Sequence, residues 1–213
     1  MSQEKVSLHQ TAIAMSERQH AGAVEERIAA INVFAGFVGD NFDLAVALLK
    51  GEKFDLVVQK ATELGVSRVV PVVTKLADIR LRDDSDAAKR VARWRRIALE
   101  AAKQCGRGVV PAIAEPASFA NVIQAAAGGP EFSCLLFSER DGQSLRGATQ
   151  LLPAKATELT ALVGSEGGWT DEELLNARQA GWTIVTLGGR TLRAETAAIA
   201  VAVLLQHLAG DLV

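Results

Sequence analysis

The stretch Leu187 to Ala198, with the sequence LGGRTLRAETAA, decides the fold of this chain of 213 residues. It joins a short strand-like run, Trp182 to Leu187, to the segment Ala194 to Leu208, which is apolar on most sides. A helix that is apolar nearly all round is normally buried in a protein core. The stretch therefore predicts a strand, a glycine-rich turn and a buried closing helix.

A second glycine-rich turn has the same arrangement. The strand-like run Leu159 to Val163 is followed by Gly164 to Trp169, with the sequence GSEGGW, and then by a capping-box helix over Thr170 to Ala180. Glycine lets the backbone approach a ligand closely, and ligands of parallel sheets bind at the carboxyl ends of strands. Both turns also carry charged residues beside their glycines. Although a single such turn is often only structural, the two together predict a ligand site.

Strands and helices alternate through the rest of the chain from Phe42 onward, which predicts an α/β domain with a mostly parallel sheet. The first forty or so residues are weakly patterned: a helix or a strand is possible over Ala21 to Ile31, and Asn32 to Gly39 indicates a strand. The other predicted strands are Phe42 to Leu49, Val66 to Val73, Val109 to Ile113 and Phe132 to Phe137, and the other predicted helices are Phe54 to Leu64, Ser85 to Gly106 and Ser118 to Ala127.

Composition excludes several classes of protein. Hydrophobic residues make up 49% of the chain and charged residues 23%, which predicts a packed core. No apolar run reaches the roughly 18 to 20 residues that span a bilayer, and the polar N-terminus lacks the apolar stretch of a signal peptide. We therefore expect a cytoplasmic protein without membrane contact. The net charge of -2 argues against a generally basic surface for nucleic acid but permits a local basic patch.

Cysteine and histidine usage predicts neither disulfides nor a metal site. Cys105 and Cys134 are too few for a disulfide framework or a zinc cluster, and both are expected to be buried free thiols. The three histidines, His9, His20 and His207, have no metal-ligand spacing. Motifs of dinucleotide-binding folds, P-loops and hydrolase elbows are absent from the sequence, so the turns alone do not name a ligand.

Four ordered blocks nevertheless resemble one family, the 16S ribosomal RNA uracil-N3 methyltransferases. The stretch Leu187 to Ala198 resembles the family's LG-x-R-x-LR-x-ETA signature, and Val163 to Glu173 is similar to its IGPEGGF-x-x-E motif. Lys50 to Val66 and Arg93 to Arg107 resemble two further markers. The resemblance covers about Phe42 to Leu208. Ser165 stands where the family usually has proline, Trp169 replaces a phenylalanine, and Gly189 replaces a residue that is often proline.

The resemblance implies a SPOUT-type fold, in which the mostly parallel α/β sheet carries a deep C-terminal trefoil knot. It implies S-adenosylmethionine as cofactor, 16S ribosomal RNA or the small ribosomal subunit as partner, and a homodimer with the active site at the subunit interface. Residues 42–213 would form the methyltransferase domain. Residues 1–41 would be a short remnant of the PUA-like β domain that binds RNA in this family.

The resemblance also assigns roles within the two turns. Arg193 would stabilise negative charge on the uracil carbonyls or hold a phosphate, and Glu195 would be the base or would orient Arg193. An ion pair between these two at the start of a helix is the structural alternative. The residues expected to hold the cofactor are Gly164, Glu166, Gly167, Gly168, Leu187, Gly188, Leu192, Thr196 and Ala197.

A set of arginines outside the turns is the candidate RNA-binding surface. Its alternative is an ordinary solvated helix face, which is the commoner meaning of a run of charges. Three other functions also stay open: a SPOUT enzyme acting on another RNA such as transfer RNA, a non-catalytic RNA-binding or ribosome-assembly protein, and an unrelated nucleotide-binding α/β protein. The candidate arginines are Arg80, Arg82, Arg93, Arg96 and Arg107.

Overall fold

The computed structural model describes residues 41–126, 132–150 and 157–210 together with Leu212. Its elements alternate between strand and helix along most of the chain. In chain order they are β1 (Phe42–Ala47), α1 (Lys53–Glu63), β2 (Arg68–Val73), α2 (Asp84–Cys105), β3 (Ala112–Ile113), β4 (Ala117–Ser118), α3 (Phe119–Ala125), β5 (Phe132–Phe137), β6 (Gln143–Ser144), α4 (Leu145–Gln150), β7 (Glu158–Val163), α5 (Asp171–Gln179), β8 (Thr183–Thr186) and α6 (Ala194–Ala209).

The strands form one sheet in the order β3-β2-β1-β7-β5-β8-β6, and β4 pairs with β2 beside this path. Every pairing between these strands is parallel. The prediction of an α/β domain with a mostly parallel sheet is therefore confirmed. Because all strands run the same way, their carboxyl ends lie along one edge, and the turns that follow them meet there.

The predicted elements from Phe42 onward are present, with ends that shift by a few residues. The predicted strand Val109 to Ile113 shortens to the two residues of β3, and β4, β6 and α4 were not predicted. The predictions for Ala21 to Ile31 and Asn32 to Gly39, and the PUA-like remnant with them, lie outside the described residues. Among the residues that the structure does describe, no helix is long and apolar enough to cross a membrane.

The sheet is covered by apolar residues on both faces. Successive residues of β1 pack on opposite faces of the sheet. Leu44 and Val46 belong to the apolar cluster that contains α1 and α6. Ala45 packs with Trp169 and Trp182 on the other face. All three β1 residues are completely buried. A strand buried on both faces must be central, which is where β1 and its neighbour β7 lie.

Helices α1 and α2 are joined by an aromatic pair. The ring centroids of Phe54 and Trp94 are 4.3 Å apart, and Trp94 Nε1 donates a hydrogen bond of 3.1 Å to Asp55 Oδ1. Trp94 is 3% exposed and therefore belongs to the core. The prediction for the thiols was right only for Cys134, whose pKa burial raises to about 12; Cys105 is exposed near the end of α2.

Arg107 follows α2 and satisfies the carboxyl end of α1. Its guanidinium donates hydrogen bonds to the carbonyl oxygens of Thr62, Gly65 and Val66 at 3.2, 3.1 and 2.7 Å. Thr62 lies in the last turn of α1, whereas Gly65 and Val66 lie in the turn that follows the helix. The guanidinium therefore joins this turn to the helix end, where a cation also opposes the helix dipole. This structural use of Arg107 was not foreseen in the sequence.

We predict that Arg107→Ala lowers the free energy of unfolding by about 1 to 3 kcal/mol, because it leaves partly buried carbonyls unpaired. Chemical denaturation followed by circular dichroism measures the change. Arg96→Ala is the matched control, since Arg96 is exposed and has no polar partner among the described residues. Equal stability of the two variants would contradict the capping role.

Candidate functional site

The two glycine-rich turns line one cavity at the carboxyl edge of the sheet. The strand ends beneath it are in register, because Val163 of β7 pairs with Val46 of β1 and Phe137 of β5, and Phe137 also pairs with Val185 of β8. The cavity has a volume of about 580 Å³. Its walls are Phe137, Ser138, Glu139, Val163, Gly164, Ser165, Glu166, Gly167, Gly168, Trp169, Thr186, Leu187, Gly188, Gly189, Arg190, Thr191, Leu192, Arg193, Ala194 and Ala197.

Packing explains the glycines of the first turn. A Cβ atom on Gly167 would lie 2.6 Å from the carbonyl oxygen of Leu76, and one on Gly168 would lie 2.9 Å from the Glu139 carboxylate. Gly168 also has a φ of +69°. Side chains therefore cannot be added here without displacing neighbours. Trp169 closes the turn from below, because its Nε1 donates a 2.8 Å hydrogen bond to the carbonyl oxygen of Phe137.

Backbone conformation explains the glycines of the second turn. Gly188 and Gly189 have φ values of +74° and +75°, which disfavour other residues, yet a Cβ on either would meet nothing within 4 Å. Neither glycine is therefore required by neighbouring atoms of the described chain. The open space beside them belongs to the cavity, so the backbone of this turn is accessible to a ligand.

A lysine that the sequence analysis overlooked connects the first turn to helix α6. Lys53, at the start of α1, places its Nζ 2.7 Å from Glu166 Oε1 and 3.7 Å from Glu195 Oε2. Burial would raise the pKa of Glu166, but the hydrogen bond and charge of Lys53 outweigh it and hold the pKa below its usual value. The same hydrogen bond raises the pKa of Lys53. Lys53 therefore fixes two carboxylates from different elements.

The two predicted catalytic residues have different surroundings. Arg193 is the exposed N-cap residue of α6, lines the cavity and has no polar partner among the described residues. Glu195 does not line the cavity; one of its oxygens, Oε2, is buried without a hydrogen bond, and its ion-pair partner is Lys53. The alternative of an ion pair between Arg193 and Glu195 is thus not found in the described part of the chain.

Most of the predicted cofactor-binding residues come together in the cavity. Only Thr196 does not line it, because it lies exposed on the first turn of α6. The cavity is also lined by residues that were not predicted to bind the cofactor: Ser138, Glu139, Thr186, Arg190 and Thr191. Ser138 and Glu139 directly follow β5, so the rule that ligands bind at strand carboxyl ends could have found them.

The candidate RNA-binding arginines are spread over several positions. Arg93 forms ion pairs with Asp55 and, at 3.7 Å, with Glu52. Arg80 donates a 3.2 Å hydrogen bond to the carbonyl oxygen of Lys75. Arg80, Arg82, Arg93 and Arg96 are exposed, whereas the guanidinium of Arg107 is occupied at the end of α1. Four of the five side chains are therefore accessible to a polyanion.

The cavity has the size and the donor set of a site for a neutral or zwitterionic organic molecule. Pockets for such ligands are commonly about 300 to 1,000 Å³. Ser165, which is 7% exposed, has a buried hydroxyl without a hydrogen-bond partner among the described residues. Carboxylates and guanidinium groups stand at the rim. Over the same residues, no group of three or more histidine, cysteine, aspartate or glutamate side chains could hold a metal ion.

Comparison with known proteins finds one family. The model of the RNA methyltransferase domain family matches residues 40–206. Ribosomal RNA small subunit methyltransferase E of Mesomycoplasma hyopneumoniae is 33% identical over 156 residues, 73% of this chain and 65% of that protein. The protein of the same name from Synechocystis is 35% identical over 154 residues, 72% of this chain and 49% of that protein. The matched part of this chain thus spans from about half to about two thirds of the length of these relatives.

A solved structure agrees with these matches. The crystal structure of a ribosomal RNA small subunit methyltransferase E from Neisseria gonorrhoeae bound to S-adenosyl methionine superposes with a TM-score of 0.71 and 33% sequence identity. The superposition covers 81% of this chain and 68% of that chain. The likeness extends over most of the residues that the structure describes.

We predict that Lys53→Met lowers the melting temperature at neutral pH and that the difference from the wild type vanishes in acid. The pKa of Glu166 in the folded state lies below its usual value. The ion pair therefore contributes its full stabilisation at pH values above the usual pKa, and this stabilisation is lost as the pH falls through the lowered pKa. Thermal unfolding between about pH 7 and pH 3 measures this. Lys103→Met, which breaks the exposed pair with Glu100, is the control. A difference for Lys53→Met that persists at the acid end would contradict the account.

Proposed function

The chain belongs to the RNA methyltransferase domain family, and on that basis we propose that it transfers the methyl group of S-adenosylmethionine to N3 of a uridine in 16S ribosomal RNA. The observation that carries the proposal is the single cavity that both glycine-rich turns line. A solved relative of 33% identity was crystallised with S-adenosyl methionine, and curated relatives are named as small subunit ribosomal RNA methyltransferases.

The cofactor would lie between the two turns. S-adenosylmethionine supplies a methyl group that is already electrophilic, so the reaction requires no metal. The open backbone at Gly188 and the apolar walls at Leu187 and Leu192 suit a nucleoside. Gly164, Gly167, Gly168 and Ala197 complete these walls. The carboxylate of Glu166 would contact the cofactor at the mouth of the cavity, and the hydrogen bond from Lys53 keeps this carboxylate ionised and oriented.

Arg193 would act on the uracil. Uridine N3 carries a proton at neutral pH, and removing that proton leaves negative charge on the ring and its carbonyl oxygens. The guanidinium of Arg193 is exposed at the cavity and unpaired among the described residues, so it is available to stabilise this charge. A positioned donor of this kind is a large contributor to catalysis.

Glu195 would be the base or a residue that positions it. Its buried Oε2 lacks a hydrogen bond and stands 3.7 Å from Lys53 Nζ. Since Glu195 lies beside the cavity rather than in its wall, the RNA must approach over α6 for direct proton transfer.

The finer features of the fold are part of the proposal. The proposed C-terminal trefoil knot would be formed by the segment between β8 and α6, which shares the cavity with the first turn before α6 packs against α1, β1 and β7. A homodimer is supported by the apolar residues that α6 leaves exposed, Val203 and Leu204 at 40% and 37%. In the proposed homodimer, a partner subunit would cover these two side chains.

The ribosomal partner follows from the same reaction. The substrate would be 16S ribosomal RNA, either free or within the small ribosomal subunit, and its phosphates would contact the exposed arginines of the 80–96 region. Such a partner places the protein in the cytoplasm. Residues 42–213 would form the methyltransferase domain, and residues 1–41 would belong to a PUA-like RNA-binding part.

We predict that Arg193→Ala lowers kcat for methylation of 16S ribosomal RNA by roughly 10² to 10³-fold, as is typical when one transition-state donor is removed. Transfer of radiolabelled methyl groups from S-adenosylmethionine to undermethylated small subunits measures kcat, and nuclease digestion with mass spectrometry locates the methyl group. Calorimetry should show an unchanged dissociation constant for S-adenosylhomocysteine.

The matched control for that experiment is Arg178→Ala, which removes an exposed arginine of α5 and should leave kcat unchanged. Full methylation by Arg193→Ala would contradict the assignment of Arg193. Saturable cofactor binding without any methyl transfer by the wild type would favour a non-catalytic RNA-binding protein. Methyl transfer to transfer RNA instead would leave the reaction type in place and change the substrate.

We predict that the double variant Arg80→Glu and Arg82→Glu weakens RNA binding and reduces the salt dependence of the affinity, because each phosphate contact releases counterions. Filter binding of 16S ribosomal RNA at several salt concentrations measures both effects. The double variant Lys60→Glu and Lys103→Glu changes the net charge equally and should have a smaller effect. Equal losses of RNA affinity in the two double variants would indicate that the arginines form a solvated face, which attracts RNA only through its general charge.

A further inference from the structure

Three buried hydroxyl groups have no hydrogen-bond partner among the described residues: those of Thr74, Ser133 and Ser165. Their residues are 2%, 1% and 7% exposed. A buried hydroxyl without a partner has given up its hydrogen bonds to water and lowers stability. Such a group is therefore either a tolerated defect or a group whose partner arrives from outside the chain.

Ser165 differs from Thr74 and Ser133 in its position relative to the cavity. Ser165 lines the cavity between the two turns, whereas Ser133 and Thr74 do not. Ser133 lies on β5 four residues before Phe137, the residue at the cavity floor, and is thus about 13 Å away along the strand. Ser165 alone combines an unpaired buried hydroxyl with a place in the wall of a ligand-sized space.

The backbone around Ser165 is fixed before a ligand binds. The amide of Gly168 donates a 3.0 Å hydrogen bond to the carbonyl oxygen of Ser165, and the two residues form an antiparallel bridge across the turn. A Cβ atom on Gly164 would lie 3.0 Å from Trp169, and one on Gly167 would lie 2.6 Å from the carbonyl oxygen of Leu76, so the turn is closely packed. The backbone that carries the hydroxyl is therefore in place before a ligand binds, and the turn need not rearrange to present this hydroxyl to an incoming group.

We propose that the Ser165 hydroxyl is a cofactor-binding group and that its partner is a polar atom of the adenosyl half of S-adenosylmethionine. The inference rests on the proposed function and adds to it a side-chain contact at a position that the resembling family usually fills with proline. Proline has no side-chain donor, so this contact is a property of this chain's own sequence.

The surroundings of Ser165 favour the uncharged half of the cofactor. Val163, Phe137 and Trp169, all at most 6% exposed, form the inner part of the cavity near this turn. The charged side chains of the cavity, including Glu139, Arg190 and Arg193, are exposed at its rim. A charged amino or carboxylate group is costly to bury away from such partners, so the amino-acid half belongs at the rim and the nucleoside inside.

The test uses Ser165→Ala, which removes one oxygen atom and leaves the turn intact. Calorimetric titration with S-adenosylhomocysteine and, separately, with 5′-methylthioadenosine, which lacks the amino-acid half, should show roughly tenfold weaker binding of both ligands, the size expected for one lost hydrogen bond. Without ligand, the melting temperature of the variant should equal or exceed that of the wild type, because an unpaired buried hydroxyl has been removed.

Ser133→Ala is the matched control, since it removes a second unpaired buried hydroxyl away from the cavity. It should bind both ligands like the wild type. Equal affinity of Ser165→Ala and the wild type would overturn the inference, and so would a loss confined to S-adenosylhomocysteine, which would place the contact on the amino-acid half. If the wild type itself bound neither ligand, the proposed function would fail, and that result is distinct from a selective effect of Ser165.

Discussion

The parallel pairing of β7 with β1 on one side and β5 on the other is the constraint on which the site depends. It aligns Val163, Val46 and Phe137 in one row, and β8 joins the same row through Val185. The turns after β7 and β8 therefore leave the sheet at the same edge although a helix separates them in sequence. The cavity between them follows from this alignment, because each turn supplies one wall. Lys53 then ties the first turn to the start of α6 through Glu166 and Glu195.

The sequence pattern correctly predicted those parts of the structure that depend on residues close together in the chain. The β-branched run that became β2, the capping box Thr170 to Glu173 and the apolar stripe of α2 with Trp94 each depend on a few neighbouring residues. The meeting of the two turns could also be predicted, since parallel strands place their carboxyl ends together. Most of the residues predicted from the two glycine-rich turns to bind the cofactor line the cavity for that reason.

Contacts between distant residues could not be predicted from pattern. Nothing in the sequence near Arg107 shows that its guanidinium reaches carbonyl oxygens at and just after the end of α1, more than forty residues earlier. Cys105 shares the stripe of Val91 and Trp94 by helical spacing but lies at the last turn of α2, where the core no longer covers it. Strand β6 and helix α4 are too short for a periodic signal. The pair between Lys53 and Glu166 joins residues 113 apart, and only the folded chain brings them together.

The most direct test of the central claim, that the two turns form a cofactor site, is calorimetric titration of S-adenosylmethionine into the purified protein and into Gly188→Val. Valine at a φ of +74° strains the backbone and places its side chain in the open space of the cavity. We predict saturable binding of one cofactor per chain by the wild type and loss of binding by the variant, with the circular dichroism spectrum of the variant unchanged. Binding that is undiminished in Gly188→Val, or a folded wild type that binds no cofactor, would contradict it.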